Sequence, residues 1–245
     1  MEWWEALLLV GGGLAAGIIN TMAGGGSSLT VPLLVLAGVP GNDANGSNRV
    51  GILTASGAAV ASFRRLGIGR ELRTLVPVLV PVVVGSLFGS LAISRLADDT
   101  FETVFGLIMI PLIILSIRKP KPKLDGTEWS VALTVAVFFG IGIYGGAIQA
   151  GVGLVLLAAL TRAGFDLVTA NSVKVLVNLV VTAIALPVFI VQGHVQWAPA
   201  LLLAVGFTAG GWTGAHFTVK GGEKWVRALM IAASLALALS LLGVY

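Results

Sequence analysis

The stretch Met22-Ala-Gly-Gly-Gly-Ser-Ser28 separates two apolar segments, and Gly145-Gly-Ala-Ile-Gln-Ala-Gly-Val-Gly153 does the same later in the chain. The segments that follow, Ser27–Val39 and Val152–Gly164, have 13 residues each. Such a segment makes roughly 20 Å of helix, too short to cross a hydrocarbon core about 30 Å thick. Glycine interrupts helices and lets backbone approach a ligand closely. Glycine-broken short segments in matching positions indicate a transporter binding site, with tight surface turns as the alternative.

The two stretches belong to two copies of a repeat, offset by 126 residues. Identical pairs include Ala37-Gly38 with Ala163-Gly164, Ala44-Asn45 with Ala170-Asn171, and Phe63 with Phe189. The loop after the first copy carries Arg64, Arg65, Arg70 and Arg73, whereas the matching loop, Gln192–Trp197, has no Lys or Arg. Because basic loops stay on the cytoplasmic side, the two copies are predicted to have inverted topology. Inverted repeats are typical of transporters with a central binding site.

The composition excludes a soluble domain. Hydrophobic residues make up 57% of the chain and charged residues 11%, and the mean hydropathy is +0.99. A soluble domain carries roughly a quarter charged residues. We therefore predict an all-α polytopic membrane protein, with two inverted-topology repeats whose short Gly-broken helix hairpins meet near the membrane midplane. The basic residues are explained by membrane orientation, and nothing in their spacing indicates nucleic-acid binding.

Ten apolar segments can be drawn, five in each half of the chain. They cover about Trp3–Ala23, Ser27–Val39, Asn45–Phe63, Leu75–Ile93, Phe101–Ile117, Trp129–Ile148, Val152–Gly164, Thr169–Val191, Ala198–Thr218 and Lys224–Val244. Residues 1–117 form the first membrane repeat, residues 118–128 a Pro- and Lys-rich cytoplasmic linker, and residues 129–245 the second, inverted repeat. Together the two repeats form one integral membrane domain.

The charges of the loops predict the orientation. Arg64–Arg73, Arg118–Glu128 and Lys220–Arg227 hold most of the basic residues and are assigned to the cytoplasm. Both termini, Ala97–Glu102 and Gln192–Trp197 are assigned to the extracytoplasmic side of the inner (plasma) membrane. The alternation is consistent if the short pairs, segments one and two and segments six and seven, each return to the side from which they entered.

Polar residues inside apolar segments are costly in a bilayer and therefore indicate function. They gather around the glycine-rich stretches and at the start of the third and eighth segments. The predicted substrate-binding residues are Asn20, Gly25, Gly26, Ser27, Ser28, Asn48, Arg49, Gln149, Gly151, Gly153, Asn171, Lys174 and Asn178.

The charges within this set predict the sign of the ligand. Arg49 and Lys174 are the most deeply placed charges, and no Asp or Glu lies in the middle of a span. Together with the helix N-termini at Ser27 and Val152, they favour an anion. Snorkelling of both cations to lipid headgroups is the competing interpretation. Asp43 and Asp166 are predicted to cap the following helices.

The two cations can be paired between the repeats in two ways. The offset of 126 pairs Asn48 with Lys174, whereas a shift by one residue pairs Arg49 with Lys174.

The glycine motif also resembles a known family. Gly17-Ile-Ile-Asn-Thr-Met-Ala-Gly-Gly-Gly-Ser-Ser-Leu-Thr-Val-Pro32, followed by Ala44-Asn-Gly-Ser-Asn-Arg-Val50, resembles the TauE/SafE family of sulfite and organosulfonate permeases. Gly151-Val-Gly153 with Ala170-Asn-Ser-Val-Lys174 is similar to that family's weaker second repeat, although it lacks the full glycine triplet and the proline after it. The resemblance implies transport of sulfite or organosulfonates across the inner membrane.

The residues predict secondary transport of a small anion by alternating access, and the resemblance implies that this anion is sulfite or an organosulfonate such as sulfoacetate. A passive anion channel and a transporter of small carboxylates are the alternatives. No catalytic residues, metal or cofactor are predicted, because the chain has no Cys and no nucleophile or metal-ligand motif, so it is not expected to be an enzyme. The expected partners are the anion and the lipid bilayer, without nucleic acid. The coupling ion, the direction of transport and homodimer formation are left open.

Overall fold

A computed structural model describes residues 3–22, 24–117 and 129–220 of the chain. Within these ranges the fold is all-α, as predicted, and a short 3-10 helix, Leu72–Leu75, precedes the fourth α-helix. The helices are α1 (Trp3–Met22), α2 (Ser27–Leu36), α3 (Gly41–Arg65), α4 (Val76–Ile93), α5 (Asp98–Ile117), α6 (Val131–Ala147), α7 (Val152–Arg162), α8 (Leu167–Val191) and α9 (Trp197–Val219). The predicted linker at 118–128 and the predicted tenth segment at 224–244 lie outside the described residues.

Four of the described segments are long and apolar enough to cross a membrane: Trp3–Met22, Leu72–Ile93, Leu167–Val191 and Trp197–Val219. The short helices α2 and α7 begin at Ser27 and Val152, where the glycine-rich stretches predicted them to begin. The helix α3 is as long as α8, with 25 residues, but its first turns are polar. Those polar turns are almost entirely buried, so tertiary contacts must satisfy them.

Two pairs of helices pack through glycine. A Cβ added to Gly206, Gly210 or Gly214 of α9 would collide with the backbone of α1 near Val10, Leu14 and Ile18. The contacts advance in the same direction along both helices, so α1 and α9 run parallel. Small residues let helix backbones approach closely, which is the main attraction available between helices in lipid.

The helices α4 and α6 repeat this arrangement. A Cβ on Gly85 or Gly89 of α4 would meet the carbonyl oxygens of Phe139 and Ile143 of α6. A Cβ on Gly142 or Gly146 of α6 would in turn meet the backbone of α4. The spacing of four residues places each glycine on the same helix face. Both glycine series, Gly85/Gly89 and Gly206/Gly210/Gly214, therefore serve helix packing.

The loops gather at two opposite ends of the long helices. At one end Arg70 of the α3–α4 loop lies over Phe165 of the α7–α8 loop, 5.6 Å from the ring centroid. Near that end Ser62 of α3 contacts His216 of α9, with 3.1 Å between Oγ and Nδ1. At the other end His194 of the α8–α9 loop contacts the carbonyl of Ser94, which follows α4.

The glycine contacts between α4 and α6 predict a clear difference between two neighbouring positions. Gly142→Ala should lower the free energy of unfolding by about 1–3 kcal/mol, since the new methyl group meets the backbone of Val82. Gly140→Ala, two residues earlier in the same helix, meets nothing within 4 Å and should be neutral or stabilising by up to about 1 kcal/mol. Thermal unfolding of both variants in detergent measures the difference; equal effects would contradict the packing assigned here.

Candidate functional site

Arg49 of α3 binds the end of a helix from the other half of the chain. Its Nη2 donates to the carbonyls of Gly146 and Ala147 at 2.6 and 2.8 Å, and its Nη1 donates to Gly145 at 3.2 Å. These are the last three residues of α6, whose carbonyls have no partner within the helix. A guanidinium suits this role because its planar donors reach several acceptors and its charge complements the negative end of the helix dipole. Arg49 is fully buried.

Lys174 of α8 makes the reciprocal contact with the first half. Its Nζ donates to the carbonyls of Asn20 and Thr21 at 3.0 and 2.7 Å, in the last turn of α1. Lys174 is also fully buried. The alternative in which the two cations snorkel to lipid headgroups is therefore wrong, because both end inside the protein.

An asparagine completes each of the two contacts. Asn45 Nδ2 donates to the carbonyl of Ala147 at 2.9 Å, and Asn171 Nδ2 donates to that of Met22 at 3.1 Å. Asn45 and Asn171 correspond under the offset of 126 residues, whereas the two cations, at 49 and 174, correspond under an offset of 125. The asparagines thus keep the main register of the repeat. The two cations are one residue out of this register but play equivalent roles, since their side chains are long enough to cover a shift of one residue.

The two glycine-rich turns touch each other between these helix ends. Gly24, with a φ of +89°, lies with its backbone against Gly153, so neither position has room for a Cβ. Gly26 is similarly closed by Ala16 and Asn20. In the second turn Gly151 and the non-glycine residue Gln149 have φ values of 68° and 62°. A left-handed Gln is uncommon and costs of order 1 kcal/mol, so its surroundings must hold it in place.

The side chain of Gln149 explains that constraint. Its Oε1 accepts from Arg49 Nη1 at 3.0 Å, and its Nε2 donates to Thr182 Oγ1 at 2.5 Å. Thr182 in turn donates to the carbonyl of Asn178, one turn earlier on α8, and Lys174 lies one further turn back. A chain of hydrogen bonds therefore runs from Arg49 through Gln149 and Thr182 to the carbonyl of Asn178, one turn from Lys174.

Several buried polar atoms in and around these contacts have no hydrogen-bond partner among the described residues. The donors are Asn20 Nδ2, Asn48 Nδ2 and Arg49 Nε, and the acceptors include Asn45 Oδ1, Asn171 Oδ1 and Asn178 Oδ1. Native proteins rarely leave such atoms unpaired, because each costs about 1–3 kcal/mol. Their concentration around the two helix ends indicates groups available to a bound polar ligand.

The structure brings together most of the residues that the sequence predicted. Ser27 is buried at the start of α2, and Asn48 accepts a hydrogen bond from Thr30 Oγ1 at 2.5 Å. Gly25 lies in the first turn, while the side chain of Ser28 is outside what the structure describes. Within the described residues no group of three His, Cys, Asp or Glu could hold a metal ion.

Three buried hydroxyl residues at the site were not predicted from the sequence. Thr182 and Thr30 take part in the contacts above, and Ser56 is buried with an unpartnered Oγ. Ser56 and Thr182 are separated by 126 residues, so the repeat itself carried a signal for them. Thr30 has Leu156 at the equivalent position and no such signal.

The two aspartates behave differently from each other. Asp166 caps α8 as predicted, accepting from the amides of Val168 and Thr169 at 3.1 and 3.0 Å. Hydrogen bonds from Thr169, and then from Val168, lower the pKa of this carboxyl group. The capping prediction for Asp43 is wrong: α3 has no side-chain cap, and Asp43 lies in its first turn, bonded to His194 Nδ1 at 2.8 Å. Its place inside the helix aims the carboxylate sideways at the α8–α9 loop instead.

The sequence matches a known family and several known proteins. The family model described as "Sulfite exporter TauE/SafE" matches residues 9–241. "Probable membrane transporter protein ORF9" of Sinorhizobium sp. is 28% identical over 93% of this chain and 88% of its own length. "Probable membrane transporter protein YfcA" of Escherichia coli K12 is 27% identical over 94% of this chain and 86% of its own length. No solved structure matches the chain.

The helix-end contacts predict a stability difference among cations. Arg49→Met and Lys174→Met should each lower the free energy of unfolding by about 3 kcal/mol, because each leaves buried carbonyls without donors. Arg64→Met, at the exposed end of α3, is the matched control and should change it by less than about 0.5 kcal/mol. Thermal unfolding in detergent tests this, and three equal values would contradict the capping role.

Proposed function

Because the chain belongs to the TauE/SafE family of membrane transporters, we propose that it moves a small anion across the inner membrane by alternating access. One observation carries the sign of the cargo. Arg49 and Lys174 are fully buried and bonded only to neutral groups, and the ion pair of His194 with Asp43 involves neither of them. Two buried cations without a carboxylate are costly, and a bound anion lowers that cost.

The surrounding donors support the same assignment. Arg49 Nε, Asn48 Nδ2 and Asn20 Nδ2 are buried N–H groups without partners among the described residues. An oxyanion accepts hydrogen bonds from all such groups, whereas a cation accepts none. Asn20 lies against Gly26, Asn48 is bonded to Thr30 of α2, and Arg49 is bonded to Gln149 of the second turn. We therefore place the anion beside the contact of the two turns.

The helix starts at α2 and α7 add to the positive potential. Neither start has a side-chain cap, so no side chain neutralises the positive ends of these two helix dipoles. Both helices begin beside the contact of Gly24 with Gly153, so the positive ends of both dipoles lie close to that contact. This is the arrangement in which broken helices bind anionic groups at the centre of transporters.

The proposed cargo is sulfite or an organosulfonate such as sulfoacetate. The description of the matching family model, sulfite exporter, supports this choice, and so does the chemistry of the site. A sulfonate presents three acceptor oxygens, which suits a guanidinium, two amides and two helix starts better than a halide would.

We further propose that the two halves are inverted repeats that exchange contacts. Arg49 and Asn45 hold the end of α6, while Lys174 and Asn171 hold the end of α1. Each half therefore stabilises the broken helix of the other. A change of access that moved one hairpin would be transmitted to the opposite half through these bonds.

Transport itself is tested by counterflow in proteoliposomes. A carrier loaded with unlabelled sulfoacetate should accumulate labelled sulfoacetate, whereas a channel gives voltage-driven current without exchange. Arg49→Gln should reduce exchange by about tenfold or more, since one unit of positive charge is lost from the site. Arg64→Gln, with the same loss of charge at the exposed end of the helix, should exchange at the wild-type rate. Equal exchange by both variants would contradict the assignment of the anion site.

The orientation is tested by thiol labelling, because the natural chain contains no Cys. Gly69→Cys lies in the basic α3–α4 loop, where an added Cβ meets nothing, and Gln192→Cys lies exposed after α8. In intact cells an impermeant maleimide should label position 192 and spare position 69 until the membrane is opened. Labelling of both positions in intact cells would refute the proposed orientation.

A further inference from the structure

His194 occupies a position that the anion site does not explain. It lies in the loop between α8 and α9, about a quarter exposed, and contacts two other elements. Its Nδ1 is 2.8 Å from Asp43 Oδ1 on α3, and its Nε2 is 2.9 Å from the carbonyl oxygen of Ser94, which follows α4. The second oxygen of Asp43 accepts from Gln196 Nε2 at 3.2 Å.

Both partners of the imidazole are hydrogen-bond acceptors. A backbone carbonyl has no proton to donate, and an ionised carboxylate has none either. Both ring nitrogens can be satisfied only if each carries a proton, which makes the ring an imidazolium. Loss of one proton would leave a nitrogen lone pair facing an oxygen and release either α3 or the end of α4 from the loop. The geometry is therefore a site for a proton.

Phe189 connects this site to the proposed anion site. Its ring lies 4.4 Å from the Arg49 guanidinium carbon and 6.4 Å, centroid to centroid, from the His194 ring. Other charged groups nearby are few among the described residues. Asp98, at the start of α5, accepts from the amide of Asn42, and Arg95 and Asp99 are exposed to solvent. Arg49 and an imidazolium at 194 therefore share one buried ring and repel each other.

We propose that Asp43 and His194 form a proton-binding site whose occupancy is coupled to the anion, so that the protein moves its anion together with a proton. The inference rests on the proposed function. An anion beside Arg49 offsets the repulsion and favours the proton at His194, and by reciprocity the proton strengthens anion binding. Two unit charges about 10 Å apart in a protein change each other's binding by about tenfold. Histidine is suited to this role since it changes charge between about pH 5 and 8.

The first experiment measures sulfoacetate binding to the purified full chain at about pH 5.5 and 8, a range in which histidine titrates and sulfoacetate keeps its charge. Wild type should bind about tenfold more weakly at the higher pH. His194→Gln should lose this dependence, whereas the matched control His216→Gln, which changes the other histidine at the opposite end of α9, should keep it. Wild-type pH dependence in His194→Gln would overturn the inference while leaving the anion site intact.

The second experiment needs no bound anion. The protein is labelled at histidine and titrated by NMR. The imidazole of His194 should hold its proton to higher pH in Arg49→Gln than in wild type, whereas Lys174→Gln should behave as wild type does. Adding sulfoacetate to wild type offsets the same charge and should move the titration in the same direction, which covers the case of a variant that does not fold. An unmoved His194 titration overturns the coupling. Failure of sulfoacetate to bind at either pH counts instead against the proposed cargo.

Discussion

The fold depends on satisfying helix ends inside the membrane. The helices α1 and α6 stop at Met22 and Ala147, and their last carbonyls face the protein interior instead of water. In a bilayer such groups must find donors within the protein. Arg49 and Lys174, each with a neighbouring Asn, supply those donors from the other half of the chain. Each half therefore relies on the other for the donors that satisfy the end of its broken helix.

The same constraint accounts for the composition of the neighbouring segments. The cations and asparagines must stand at the start of α3 and α8, which makes these turns polar although they are buried. The broken helices must approach them closely, which favours glycine at Gly24, Gly26 and Gly153. The helices α1, α4, α6 and α9 then pack by glycine contacts, because lipid offers no hydrophobic drive for association. Stability and the proposed binding site thus draw on the same few residues.

Local pattern was sufficient for the helical class, for the starts of two helices and for the two buried cations. Glycine marked the starts of α2 and α7, and the rarity of charge in apolar segments singled out Arg49 and Lys174. It was insufficient for Asp43, which the capping pattern placed before α3 and the structure places within its first turn. It also left His194 as an isolated loop residue, since its partners Asp43 and Ser94 lie more than 90 positions away along the chain.

The sequence by itself determined the membrane character, the two glycine-rich turns, the repeat and the positive sign of the buried charges, because hydropathy, glycine and charge act over a few residues. Only the tertiary structure decided what those charges bind. The breaks at Met22–Gly26 and Ala147–Gly151 expose carbonyls, but which donor reaches them depends on how α3 and α8 cross the opposite half. That choice is made by close packing of helices distant in the chain, and a one-residue shift between Arg49 and Lys174 is absorbed by side-chain length.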